Sequence, residues 1–151
     1  MIPVIVIQGP TAVGKSKFAM QIATELETDI ISADSRQIYK FMDIGTAKPA
    51  VFEQKKIKHH LIDIITPDQN YSAGDFVKQA ADLIRKISAC GKIPIICGGT
   101  MFYIKSLQEG IFKSPKIPDD IRKKLKAEAI EKGCLLYTSD AADEEDSVDL
   151  G

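Results

Sequence analysis

Eight residues near the amino terminus, Gly9-Pro10-Thr11-Ala12-Val13-Gly14-Lys15-Ser16, restrict what this chain can fold into more than any other stretch. They follow an apolar run, Val4-Ile5-Val6-Ile7, and lead into Phe18, Ala19, Ile22, Ala23 and Leu26 at helical spacing. Strand, glycine-rich turn and helix in that order make up the Walker A phosphate loop. Gly9 and Gly14 let the backbone fold tightly enough for successive N–H groups to point at one phosphate chain. The helix start adds partial positive charge, Lys15 adds a full one, and the Ser16 hydroxyl can ligate Mg2+. A glycine-rich turn that binds nothing has no need of all eight positions. The loop implies a diphosphate or triphosphate ligand and leaves its owner open.

A phosphate loop needs a sheet behind it, and the following residues supply one. Val4–Ile7 reads as a fully buried parallel strand, being β-branched and continuous instead of alternating. The helix after the loop is expected to run to about Glu27, and Asp29-Ile30-Ile31-Ser32 reads as a second strand ending at Ala33-Asp34-Ser35-Arg36. Residues 37–58 are less regular, with a turn at Gly45 and a breaker at Pro49. The stretch 59–64, His59-His60-Leu61-Ile62-Asp63-Ile64, reads as a strand or its edge. Ser72 is a candidate N-cap for a helix burying Phe76, Val77, Ala80, Leu83, Ile84 and Ile87, with Gly91 ending it. Ile93-Pro94-Ile95-Ile96-Cys97 is another buried strand, and Gly98-Gly99-Thr100 opens a helix to about Gln108.

Strands alternating with helices give an α/β fold, a P-loop NTPase-like parallel sheet flanked by helices. Ligands of such sheets bind in the crevice at the carboxyl ends of the strands. Residues 9–16, 34–37 and 98–100 all follow strands, so they can converge there. Domain organisation is read as an incomplete catalytic core over 1–112, then a linker and the start of a helical insertion over 113–133. The linker is Lys113-Ser114-Pro115-Lys116-Ile117-Pro118 and the basic helix 119–132 follows it.

Composition, at 44% apolar and 27% charged, is ordinary for a soluble globular protein. No stretch approaches a membrane span, and no basic region precedes the first apolar run as in a signal peptide. Cys90, Cys97 and Cys134 show no metal spacing and read as buried or incidental thiols in a reducing, cytoplasmic setting. The net charge of −1 hides an asymmetry, because residues 134–151 hold six acids and no Lys or Arg. Residues 1–133 therefore carry 20 basic and 15 acidic side chains, a balance compatible with a polyanionic partner without demanding one.

With these residues located, the chain resembles the tRNA dimethylallyltransferases (tRNA isopentenyltransferases) from Val4 to about Lys132. The resemblance rests on the loop at 9–16, Ile-Ser-Ala-Asp-Ser-Arg-Gln-Ile-Tyr at 31–39 and Met-Asp-Ile-Gly-Thr-Ala-Lys-Pro at 42–49. His-His-Leu-Ile-Asp at 59–63, Tyr-Ser-Ala-Gly-Asp-Phe at 71–76 and Gly-Gly-Thr-Met-Phe-Tyr at 98–103 complete it. Lys58 stands where the family often has proline. The resemblance implies transfer of a dimethylallyl group from dimethylallyl diphosphate to N6 of the adenosine 3′-adjacent to the anticodon, with the loop holding the donor's diphosphate and Mg2+ through Ser16. It implies catalytic roles for Thr11 on the diphosphate, Thr100 reaching in from its helix start, Asp34 as the carboxylate that orients N6 and takes its proton, and Arg122. Asp34, Ser35, Arg36 and Gln37 would contact the anticodon loop of the tRNA, and a full-length member is expected to be a monomer. Members are roughly twice this long, so the chain is expected to be a fragment truncated before the helical insertion is complete. Residues 134–151 depart from the family pattern and are expected to be a non-native disordered tail.

Other readings of the same residues stay open. Asp34 could hold Mg2+ through water in the manner of a Walker B carboxylate, and Asp63 shares that ambiguity with a structural role favoured. His59 and His60, adjacent in a strand, point oppositely and suit structural polar contacts better than a metal. Gly98-Gly99 serves close packing of helix on strand as well as an anion contact beside Thr100. The run Arg122-Lys123-Lys124-Lys126 fits a solvated face or an RNA contact. An adenylate isopentenyltransferase or a P-loop small-molecule or nucleotide kinase would use the same loop, and a GTPase-like module would need an Asn-Lys-x-Asp stretch that is missing here.

Overall fold

Apolar residues at alternate positions of short strands must be covered on both sides, and in this chain they divide cleanly between two faces. The computed structural model describes residues 2–111 and 118–132. Strands β1 (Ile5–Gln8), β2 (Ile30–Ser32), β3 (His59–His60) and β4 (Ile95–Gly98) form a four-stranded sheet of order β1-β4-β2-β3. Every pairing is parallel, with Ile5 opposite Ile95, Ile30 opposite both Ile95 and His59, and Gln8 opposite Gly98. Helix α1 (Lys15–Glu25) covers one face, where Ala19 and Ala23 pack with Ile30, Ile95, Cys97, Ile5 and Ile7. Helices α3 (Ala73–Ala89) and α4 (Met101–Glu109) cover the other, where Phe76, Ala80, Ile87 and Ile104 pack with Ile31, Ala33 and Ile96. The period of two along each strand thus sorts its residues between the helical layers.

α3 begins at Ser72, whose hydroxyl accepts from the Asp75 N–H while Asp75 accepts from the Ser72 N–H, a reciprocal capping box. Its apolar face is the one the sequence specifies. Phe76 is fully buried and stacks on Tyr103 of α4, with ring centroids 4.7 Å apart, which fixes the start of α4 relative to the sheet.

Several expectations need correction. β1 is half-buried where a fully buried strand is expected, because it lies at the edge of the described sheet. The third strand is cut to His59–His60, since Leu61 and Asp63 adopt left-handed conformations (φ 62° and 54°) that no strand accommodates. Beyond it, Tyr39 and Ile65 make an isolated parallel bridge. The irregular stretch 37–58 contains a short helix, α2 (Val51–Lys56), with Glu53 accepting from the Ala50 N–H at its start.

The chain divides at Ile111 into two units. Of the second, helix α5 (Asp119–Lys132) is described, with the bounds the sequence specifies. Residues 113–117 of the expected linker and the segment 134–151 lie outside the described residues. Among the described residues, no helix is long and apolar enough to cross a membrane.

Candidate active site

A parallel sheet brings the carboxyl ends of its strands to one edge, and three strand ends meet there. β1 runs into the phosphate loop, β2 into the Asp34–Gln37 turn, and β4 into Gly98-Gly99-Thr100. The Ala33 N–H donates to the Cys97 carbonyl at 2.8 Å, and the Thr100 N–H donates to the Ala33 carbonyl at 3.1 Å. A Cβ on Gly98 would lie 2.1 Å from that Ala33 oxygen, so the close approach of the two strand ends depends on glycine. The result is a cleft of about 570 Å³ lined by loop residues Thr11, Ala12 and Gly14–Lys17, by Asp34–Gln37 and by Gly98–Thr100.

At the loop, Gly14 (φ 87°) and Ala12 (φ 68°) are both left-handed, a conformation that costs a non-glycine residue about 1 kcal/mol or more. Gly14 is the N-cap of α1 and supplies no side-chain cap, and the first turn carries no acid. The first N–H groups of α1 are therefore without a capping side chain, in a turn that carries Lys15 and Lys17. The Lys15 ammonium donates across the loop to the Pro10 carbonyl. Pro10 and Val13 are exposed on the loop and do not line the cleft, whereas Thr11 and Ser16 do.

On the second strand end, Asp34 Oδ1 accepts from the N–H groups of Arg36 (2.8 Å) and Gln37 (3.3 Å). Its other oxygen has no hydrogen-bond partner among the described residues. Thr100 lines the cleft, yet its hydroxyl accepts from the Ser35 N–H at 2.9 Å and donates to Ser35 Oγ at 3.3 Å. It thereby ties the start of α4 to the turn that carries Asp34. Arg36 is exposed. Gln37 is not: its side chain is buried, Oε1 accepts from Ser32 Oγ at 3.0 Å, and Nε2 donates to the Thr46 and Ala47 carbonyls at 3.1 and 3.0 Å. Arg122 lies in α5 of the other unit, and the two units are described separately.

Sequence reasoning missed part of the lining. Thr46, Ala47 and Pro49 wall the cleft, and Ile30, Cys97, Ala19 and His59 extend it along the α1 face of the sheet. The signal for the wall was present in the 42–49 block, which carried resemblance without a physical role. His59 enters through its register with Ile30. Its Nδ1 lies 2.8 Å from the Ile57 carbonyl and so carries the proton, while burial holds the ring's pKa below the ordinary value. His60 instead meets Asp29 at 2.9 Å. Burial pushes the Cys97 thiol up, with Lys15 nearby opposing the shift. Asp63 accepts from Lys48, a structural engagement.

Among the described residues no three His, Cys, Asp or Glu side chains could cage a metal. The donor set fits Mg2+ in another way: a serine hydroxyl beside a phosphate loop, with a carboxylate in the same cleft, suits an ion brought in largely by phosphate oxygens and water.

Residues 37–147 match the family model described as IPP transferase. The chain is 47% identical over 131 residues to a tRNA dimethylallyltransferase of Nitrosomonas europaea, covering 87% of this chain and 41% of the relative. With one of Acetivibrio thermocellus it shares 53% identity over 131 residues, covering 86% and 42%. Among solved structures it resembles a tRNA delta(2)-isopentenylpyrophosphate transferase from Staphylococcus epidermidis, with a TM-score of 0.67 and 42% identity over 85% of this chain and 42% of that one. The chain thus spans about two fifths of the length of the curated relatives it matches.

Proposed function

Because the chain belongs to the IPP transferase family, we propose that its cleft serves transfer of a dimethylallyl group from dimethylallyl diphosphate to N6 of the adenosine 3′-adjacent to the anticodon in tRNA, releasing pyrophosphate. The observation that carries this reading is the meeting, in one cleft, of a phosphate loop at a helix start without a side-chain cap and the Asp34 carboxylate, one oxygen of which has no partner among the described residues. Ala19, Ile30, Ala47 and Cys97 also line this cleft, an apolar contribution that suits a short hydrocarbon attached to a diphosphate.

The donor's diphosphate sits on the α1 amides and the Lys15 ammonium. As the allylic C–O bond breaks, negative charge collects on the departing pyrophosphate, and donors already aimed there lower the barrier. Thr11 donates to the diphosphate beside that bond. Ser16 would hold Mg2+, which when bound neutralises charge on the leaving group. The adenine amino group is delocalised into its ring and is a weak nucleophile. Asp34 orients N6, whose electron pair forms the new bond to the allylic carbon, and the carboxylate takes the released proton. Thr100, through Ser35, keeps the Asp34 turn in place. Ser35, Arg36 and the backbone of Gln37 meet the tRNA, with Arg122 as a further contact, and the target base leaves its stack to reach the cleft. The reaction belongs to the cytoplasm, on a monomeric enzyme.

The test supplies a full-length relative with labelled dimethylallyl diphosphate, unmodified tRNA and, as competing acceptors, AMP and ATP. Label in the tRNA with release of pyrophosphate is expected. Label in AMP or ATP instead would assign an adenylate isopentenyltransferase and overturn the proposal.

A further inference from the structure

The wall of the cleft over residues 45–47 has no hydrophobic anchor of its own. Phe41, Met42 and Ile44 of the excursion that carries it are 81%, 39% and 98% exposed. Two of its residues, Phe41 and Ala47, hold left-handed φ values of 66° and 49°, and Asp63 beside it holds 54°. Backbone of that kind persists only where surrounding bonds over-determine it. Two inward side chains supply those bonds. The Lys48 side chain is 6% exposed, and its ammonium donates to the Tyr39 carbonyl (2.7 Å), Asp43 Oδ1 (2.8 Å) and Asp63 Oδ1 (2.6 Å). All three of its protons are engaged, on the start and the middle of the excursion and on the neighbouring 61–65 segment. Gln37 supplies the second tie, joining β2 at Ser32 to the carbonyls of Thr46 and Ala47.

We propose that Lys48 and Gln37 are positioning residues that clamp the 39–48 excursion against 61–65 and so set the cleft wall that receives the organic portion of the diphosphate ligand. This rests on the prenyl-diphosphate reading of the cleft. Neither residue touches the reacting atoms. Lys48 lies outside the cleft lining and Gln37 borders it, and both hold Gly45, Thr46 and Ala47, which line the cleft. A ligand that is all phosphate needs the loop alone, whereas one with a hydrocarbon tail also needs the wall.

Two variants of this chain, Lys48→Met and Gln37→Leu, each remove one tie and keep an apolar stem only one atom shorter than the original side chain. Binding of inorganic pyrophosphate and of dimethylallyl diphosphate, both with Mg2+, is measured alongside amide hydrogen exchange. In Lys48→Met, exchange at Lys40, Asp63 and Ile64, whose N–H groups bond to Ile65, Gln37 and Ile38, is expected to accelerate by about tenfold or more, with α3 and β4 unchanged. Both variants are expected to weaken the prenyl diphosphate by about fivefold or more while pyrophosphate stays within about twofold. Equal losses for the two ligands, or unchanged affinity and unchanged exchange, would overturn the proposal. If the unaltered chain binds neither ligand, the prenyl-diphosphate reading fails with the wall's role. The exchange rates then decide whether the clamp itself exists.

Discussion

Replacing Gly98 by alanine tests how the site is assembled. The added Cβ would lie 2.1 Å from the Ala33 carbonyl oxygen, 2.4 Å from its carbon and 2.8 Å from its Cα, where real contacts stay beyond 3.0 Å. These atoms are backbone, so no side chain can swing away. Ala33 must retreat by about 0.9 Å from β4 to reach that limit. The two hydrogen bonds flanking the clash, Ala33 N–H to Cys97 and Thr100 N–H to Ala33, would stretch with it. Overpacking of about 1–3 kcal/mol and two weakened backbone bonds of about 1 kcal/mol each give a destabilisation of about 3–5 kcal/mol. With a denaturant slope of about 1.5–2 kcal/mol per molar, the urea midpoint should fall by about 2 M. Because Thr100 and Ser35 are joined at the same junction, the variant should also lose the Asp34-dependent step more than pyrophosphate binding at the loop. A midpoint within about 0.3 M of the parent, below the smallest of these terms, would refute the close approach of the strand ends.

Other residues give independent checks. In a full-length member of the family, Asp34→Asn keeps an acceptor for the Arg36 N–H but removes the base, so turnover should fall about 10²–10⁴-fold with diphosphate binding nearly unchanged. Equal losses in both would favour a metal-holding role. Cys97, buried and with its thiol pushed above the ordinary pKa, should alkylate more slowly than exposed Cys90 at pH 8, and more slowly still with dimethylallyl diphosphate bound; peptide mapping by mass spectrometry reads both. Ser72→Ala should cost about 1 kcal/mol by denaturant unfolding. The Ser72 hydroxyl and N–H hold the Asp75 carboxyl below its ordinary pKa, so this contribution is present above the unfolded carboxyl's pKa and is lost as pH falls through the folded one. An unchanged acid limb in Ser72→Ala would contradict that assignment.

The parts of the fold written in periodicity were legible. The α3 face from Phe76 to Ile87, its Ser72 cap and the bounds of α5 follow from spacing and cap chemistry that act locally. The convergence of residues 9–16, 34–37 and 98–100 was legible because parallel strands have one carboxyl edge. What escaped was set by long-range partners. The burial of β1 depends on which strand lies beyond it, and the length of β3 on left-handed residues at Leu61 and Asp63 that no propensity for leucine foretells. Gln37 illustrates the limit most sharply. Its place in the 34–37 block, read as a contact with tRNA, gave no sign that both its amide protons go to the carbonyls of Thr46 and Ala47, nine and ten residues away in sequence. Lys48 was invisible for the same reason: a lysine reads as a solvated charge until two carboxylates and a carbonyl surround it. Burial lowers its pKa, but its bonds to Asp43 and Asp63 outweigh that and leave it above the ordinary lysine value.

A calorimetric titration of this chain with dimethylallyl diphosphate and, separately, with ATP, each with Mg2+, bears most directly on whose phosphates the loop holds. Dimethylallyl diphosphate is expected to bind at least about tenfold tighter than ATP, a difference of about 1.4 kcal/mol, and to compete with inorganic pyrophosphate. ATP binding as tightly or more tightly would contradict a prenyl-diphosphate cradle and return the loop to a nucleotide kinase.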